Sequence, residues 1–78
     1  MKAKIPKLAY ALMGLDADRF DGRYTVRDGV IETDRATALA MAYEAQERAN
    51  DTGGWAASAD YTGRERRALR TFAARLFA

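Results

Sequence analysis

Asp28-Gly29 sits between two short runs of strand-forming residues, Arg23-Tyr-Thr-Val-Arg27 and Val30-Ile-Glu-Thr33. It is the feature that most constrains the fold. An Asp-Gly pair tolerates the positive φ angles of a two-residue type I′ turn, so the two runs are expected to close as a β-hairpin. In that register Val26 faces Ile31 and Tyr24 faces Thr33, which places Tyr24, Val26 and Ile31 on one side and Thr25, Arg27 and Glu32 on the other. Two strands alone are marginal in water, so the apolar side must be covered by helices. A second Asp-Gly pair, Asp21-Gly22, is expected to turn Phe20 back as a third short strand.

The helices that supply the cover are legible on either side. Pro6 suits the first position of a helix, and Leu8, Leu12 and Leu15 follow at helical spacing, ending near Gly14. No Ser, Thr, Asp or Asn precedes Pro6 to cap it. A second helix starts at Thr33 or Asp34 and runs to about Asn50, where Asp51-Thr-Gly-Gly54 breaks it. Ala38, Leu39, Met41, Ala42, Ala45 and Ala49 form its buried side. Thr37, Glu44, Glu47 and Arg48 fall opposite, which reads as a solvated charged face. Residues 50–61 read as a loop with a short turn around 56–59. The third helix opens on Thr62-Gly-Arg-Glu65, a capping-box pattern, and buries Leu69, Phe72, Ala73 and Leu76. The expectation is an α+β fold in the order α-β-β-α-α, with residues 1–78 as one domain, because a chain of 78 residues has material for one core.

Composition narrows the chemistry. There is no cysteine and no histidine, which removes disulfides, the commonest metal ligands and the usual general base or nucleophile relay. No glycine spacing matches a phosphate-cradling loop, since Gly53-Gly54 lacks the partner glycine and the Lys-Ser/Thr pair. Asp16, Asp18 and Asp21 before Gly22 approach a calcium loop but put Phe20 at the fifth position, the glycine one residue late and Arg27 at the closing position. No enzyme, metal or cofactor is expected.

Charge is sorted along the chain. Residues 1–15 carry Lys2, Lys4 and Lys7 without an acid, residues 16–34 carry six acids against three arginines, and from residue 61 onward five arginines face Glu65 alone. On the third helix Arg64, Arg67, Arg70 and Arg75 fall opposite the apolar side and form a candidate anion-binding surface, because a guanidinium makes bidentate contacts with carboxylate or phosphate. Trp55, beside Tyr61, is a candidate interface anchor, although a lone tryptophan in a small domain more often closes the core. Asp16, Asp18 and Asp21 head the alternative, acidic face. The dozen residues between the second and third helices exceed the short turn of a helix-turn-helix, and the arginine face lacks the Asn and Gln that read adenine. The lysines before Leu8–Leu15 invite comparison with an export signal, but the apolar stretch is short, has no small-x-small site and is followed by Asp16-Ala-Asp-Arg19. A cytoplasmic, membrane-free protein is expected.

In this general profile, a short chain without catalytic inventory and with segregated charge, the protein resembles the small proteins with which phages block host machinery, anti-CRISPR proteins among them. The resemblance is one of type and assigns no residues. It implies inhibition by occlusion, in which a charged surface covers a nucleic-acid site or a subunit contact on a larger protein or ribonucleoprotein complex. The alternative expectation is a nucleic-acid-binding regulator that uses the arginine helix.

Overall fold

The computed structural model describes residues 1–78. Its elements are β1 (Lys2–Lys4), α1 (Lys7–Leu12), β2 (Tyr24–Arg27), β3 (Val30–Thr33), α2 (Arg35–Ala49) and α3 (Gly63–Phe77), with single 3₁₀ turns at Leu15–Ala17 and Ser58–Asp60. The fold is α+β. The hairpin forms in the expected register, Val26 opposite Ile31 and Tyr24 opposite Thr33. Its turn has Asp28 at φ 53° and Gly29 at φ 76°, the left-handed pair that a type I′ turn requires.

The third strand is a correction. Asp21 and Gly22 both take positive φ, but Phe20 only closes a turn to the Arg23 amide at 3.1 Å. The strand comes instead from Lys2–Lys4, antiparallel to β3, so the sheet order is β1-β3-β2. Lys2-Ala3-Lys4-Ile5 alternates polar and apolar residues, and the pleat sends Lys2 and Lys4 to solvent while Ala3 turns inward. Ile5 then enters the core, with its amide bonded to the Gly29 carbonyl at 2.8 Å.

That entry reorients the first helix. Pro6 stands just before α1 in an extended conformation, with no side-chain cap, and the buried side chains are Ala9 and Met13 rather than Leu8 and Leu12, which are half-buried. Leu15 is buried, on the following 3₁₀ turn. Along α2 Ala38, Met41, Ala42, Ala45 and Ala49 are buried as expected, while Leu39, expected on the same side, is only half-buried. Thr37 is a second correction: it is buried because its hydroxyl donates to the Asp34 carboxylate at 2.9 Å while the same carboxylate accepts its amide at 2.7 Å. The Asp34 cap therefore satisfies the one polar group on that side.

The capping box at α3 is complete, with Thr62 Oγ1 accepting from the Glu65 amide at 3.1 Å and the Glu65 carboxylate accepting from the Thr62 amide at 2.8 Å. Leu69, Phe72, Ala73 and Leu76 then face α2 across a smooth alanine surface. Arg35, at the start of α2, donates to the carbonyls of Leu76 and Phe77 at the end of α3, at 3.5 and 3.3 Å. Arg66, near the start of α3, donates to the Ala49 carbonyl at the end of α2, at 2.9 Å. The two helices run antiparallel, each with a cation from its neighbour at its C-terminus, where the macrodipole is negative.

Candidate functional site

The expected arginine face is present on α3, and the structure divides it. Arg64, Arg67, Arg70 and Arg75 are exposed. Arg70 leans toward the C-terminus of α2, 3.4 Å from both the Ala49 carbonyl and Asn50 Oδ1. Arg75 donates to the Lys4 carbonyl at 2.8 Å and fastens α3 to β1. Arg64 and Arg67 donate to no protein acceptor. They stand with Lys7, Pro6 and Leu8 of the α1 entry, and with Ala68 and Thr71 of α3, around an open groove of about 370 Å³.

Lys7 is the member that sequence reasoning missed. Its separation from Arg64 in the chain hides the pairing, and only the packing of α1 against α3 makes it. The groove lacks a competing carboxylate for two reasons. Residues 1–15 contain no acid, and the one acid of α3, Glu65, is held by its cap. Three cations and a threonine hydroxyl thus surround one open volume.

The remaining candidates lie elsewhere. Asp16, Asp18 and Asp21 are exposed on the turn after α1, with Asp18 and Asp21 in left-handed conformation at φ 56° and 57°. None of them lines the groove. No group of three or more His, Cys, Asp or Glu side chains is arranged to hold a metal ion. The field of Asp18 and Asp16 reaches Tyr24, whose phenol donates to the Leu15 carbonyl. Burial first, then Asp18, Tyr10 and Asp16, raises the Tyr24 pKa above its ordinary value, against an opposing pull from Arg19.

Trp55 neither joins the core nor stands free. It is half-buried with its ring 4.4 Å from the Arg48 guanidinium, a cation–π contact, and its buried Nε1 has no acceptor. Arg48 is fixed in turn by the Tyr61 hydroxyl at 2.9 Å and by Glu44 at 3.0 Å. The expected solvated face of α2 is corrected here. The Glu44 side chain is only 12% exposed, and Arg19 grips it with both terminal guanidinium nitrogens at 2.5 and 2.9 Å. That bond to Glu44 is the first cause holding the Arg19 pKa above its ordinary value, against desolvation. Two arginines from different segments satisfy one carboxylate, which offsets the cost of drawing it out of water.

Comparison with protein-family models, with curated proteins and with solved structures finds no match. No helix is long and apolar enough to cross a membrane.

Proposed function

We propose that this chain is a non-catalytic binding protein that lays the basic face of α3 and the α1 entry on an acidic surface of a larger protein or ribonucleoprotein complex. In so doing it covers a nucleic-acid or subunit-contact surface, as an inhibitor of the anti-CRISPR type would. The observation that carries this reading is the groove in which Lys7, Arg64 and Arg67 converge without an internal acceptor or a neighbouring carboxylate. Cations held this way keep their full donor capacity for an external anion. Three of the acids are committed to structure: Glu44 is ion-paired, and Asp34 and Glu65 cap helices.

The test is comparative capture of host complexes by the wild-type chain and by an Arg64→Glu/Arg67→Glu variant. A partner retained by the wild type in stoichiometric amount and lost by the variant supports the reading. Recovery of the same partner by both would sink it, since the groove would then play no part.

A further inference from the structure

We infer that the groove between α1 and α3 seats the phosphate backbone of a double-stranded nucleic acid, bound without reading its sequence. This rests on the basic face proposed above and names what that face touches. Arg64, Arg67 and Lys7 come from two segments and converge on one open volume, beside the Thr71 hydroxyl. That is a set of donors with no acceptor among them, suited to the non-bridging oxygens of a phosphodiester.

Two observations bear on the ligand, and a third on how it is bound. The basic face can meet protein or nucleic acid in such a complex, and where protein is met, arginine anchors work beside aromatic ones around an apolar centre. The exposed large hydrophobic residues here are Met1 and Tyr43, and neither lines the groove. Tyr43 stacks edge-on against Phe77, at the opposite end of α3 from Arg64. Single strands are held by aromatic side chains on which bases stack, and no aromatic residue lines the groove. Base reading needs Asn, Gln or arginines delivered deep into a groove by a projecting element. Here the arginines lie along the flank of a helix already packed on α1 and α2. What remains is contact with the backbone, which a duplex presents as a continuous ridge. Arg75, eleven residues beyond Arg64 or about 16 Å along the helix, falls on the same side of α3 but is engaged with the Lys4 carbonyl, so three cations are counted toward the phosphates.

The experiment measures fluorescence anisotropy of the full chain with labelled duplexes of about 20 base pairs, as DNA and as RNA, beside a single strand and polyglutamate. Three phosphate contacts give a log–log salt slope of about −2.7, so affinity falls roughly 40-fold between about 50 and 200 mM salt. An Arg64→Ala/Arg67→Ala variant is expected to flatten the slope to about −0.9. Arg23→Ala/Arg27→Ala, which removes the same charge away from the groove, is expected to leave binding within about twofold. The DNA and RNA arms show which duplex is the source of the phosphates. Absence of duplex binding at low salt, or equal loss in both variants, overturns the phosphate inference. Binding of polyglutamate or of the single strand as tightly as the duplex overturns it too. The capture test is read separately, so a partner still lost with Arg64→Glu/Arg67→Glu would leave the wider binding reading standing.

Discussion

At the scale of single residues, the arginines of this chain fall into two kinds that composition cannot separate. Arg19 and Arg48 complete the surroundings of a nearly buried carboxylate, whereas Arg64 and Arg67 touch no protein acceptor. Removing Glu44 leaves two guanidinium groups drawn together without their anion, so Glu44→Ala is expected to lower stability by about 1–3 kcal/mol. Arg64→Ala/Arg67→Ala is expected to stay within about 0.5 kcal/mol of wild type while losing binding. Urea unfolding of both variants checks the contrast, and comparable losses would contradict it. Tyr24 gives a pH dependence. Burial raises its pKa above the ordinary value of about 10, so folding favours the neutral phenol. Its contribution is complete below that value and is lost as pH rises through the higher folded one, because the ionised ring loses the proton it donates to Leu15. Unfolding midpoints measured from about pH 9 to 11 are expected to decline in wild type and to decline less in Tyr24→Phe.

At the scale of elements, what could be read from sequence was what local chemistry decides. The Asp28-Gly29 turn dictates its own register, and Thr62 with Glu65 dictates where α3 begins, since both act between residues within ten positions of each other. Thr62→Ala is expected to cost about 0.5–2 kcal/mol and to fray the first turn of α3, which amide exchange at Glu65 and Arg66 would report. If those amides kept their protection, the box would be an accompaniment of the helix rather than its anchor. Lys2–Lys4 escaped notice for the opposite reason. A three-residue strand has almost no periodicity of its own, and its alternation gains meaning only when β3 offers an edge. Glu44 escaped too, because a wheel shows which side a residue takes but not that Arg19 will arrive from another segment to meet it. Lys7 in the groove is the same case: the arginine half of the candidate site was legible on one helix, while the lysine half required the packing of α1 on α3.

At the scale of the whole molecule, the two ends of the chain close the structure against each other. β1 completes the sheet, Ile5 fills the core, and Arg75 donates from the last turn of α3 to the Lys4 carbonyl. A chain of 78 residues has a net stability of about 4–12 kcal/mol at the usual 0.05–0.15 kcal/mol per residue. Ile5, 5% exposed, follows the short strand directly, so Ile5→Ala removes buried methyl groups at the point where that strand is tied down. The expected loss is about 2–5 kcal/mol, a large share of the total. Its location makes the prediction sharper than its size. If the N-terminal segment closes the fold cooperatively, Ile5→Ala lowers the amide protection of β3 and α3 together with that of β1. If the segment merely rests on a finished core, only β1 opens and the unfolding midpoint barely moves. The same comparison bears on the site, since Lys7 lies two residues beyond Ile5. Cooperative closure means that the groove exists only in the fully folded molecule, so a binding surface assembled from both ends of the chain is coupled to the stability of the whole.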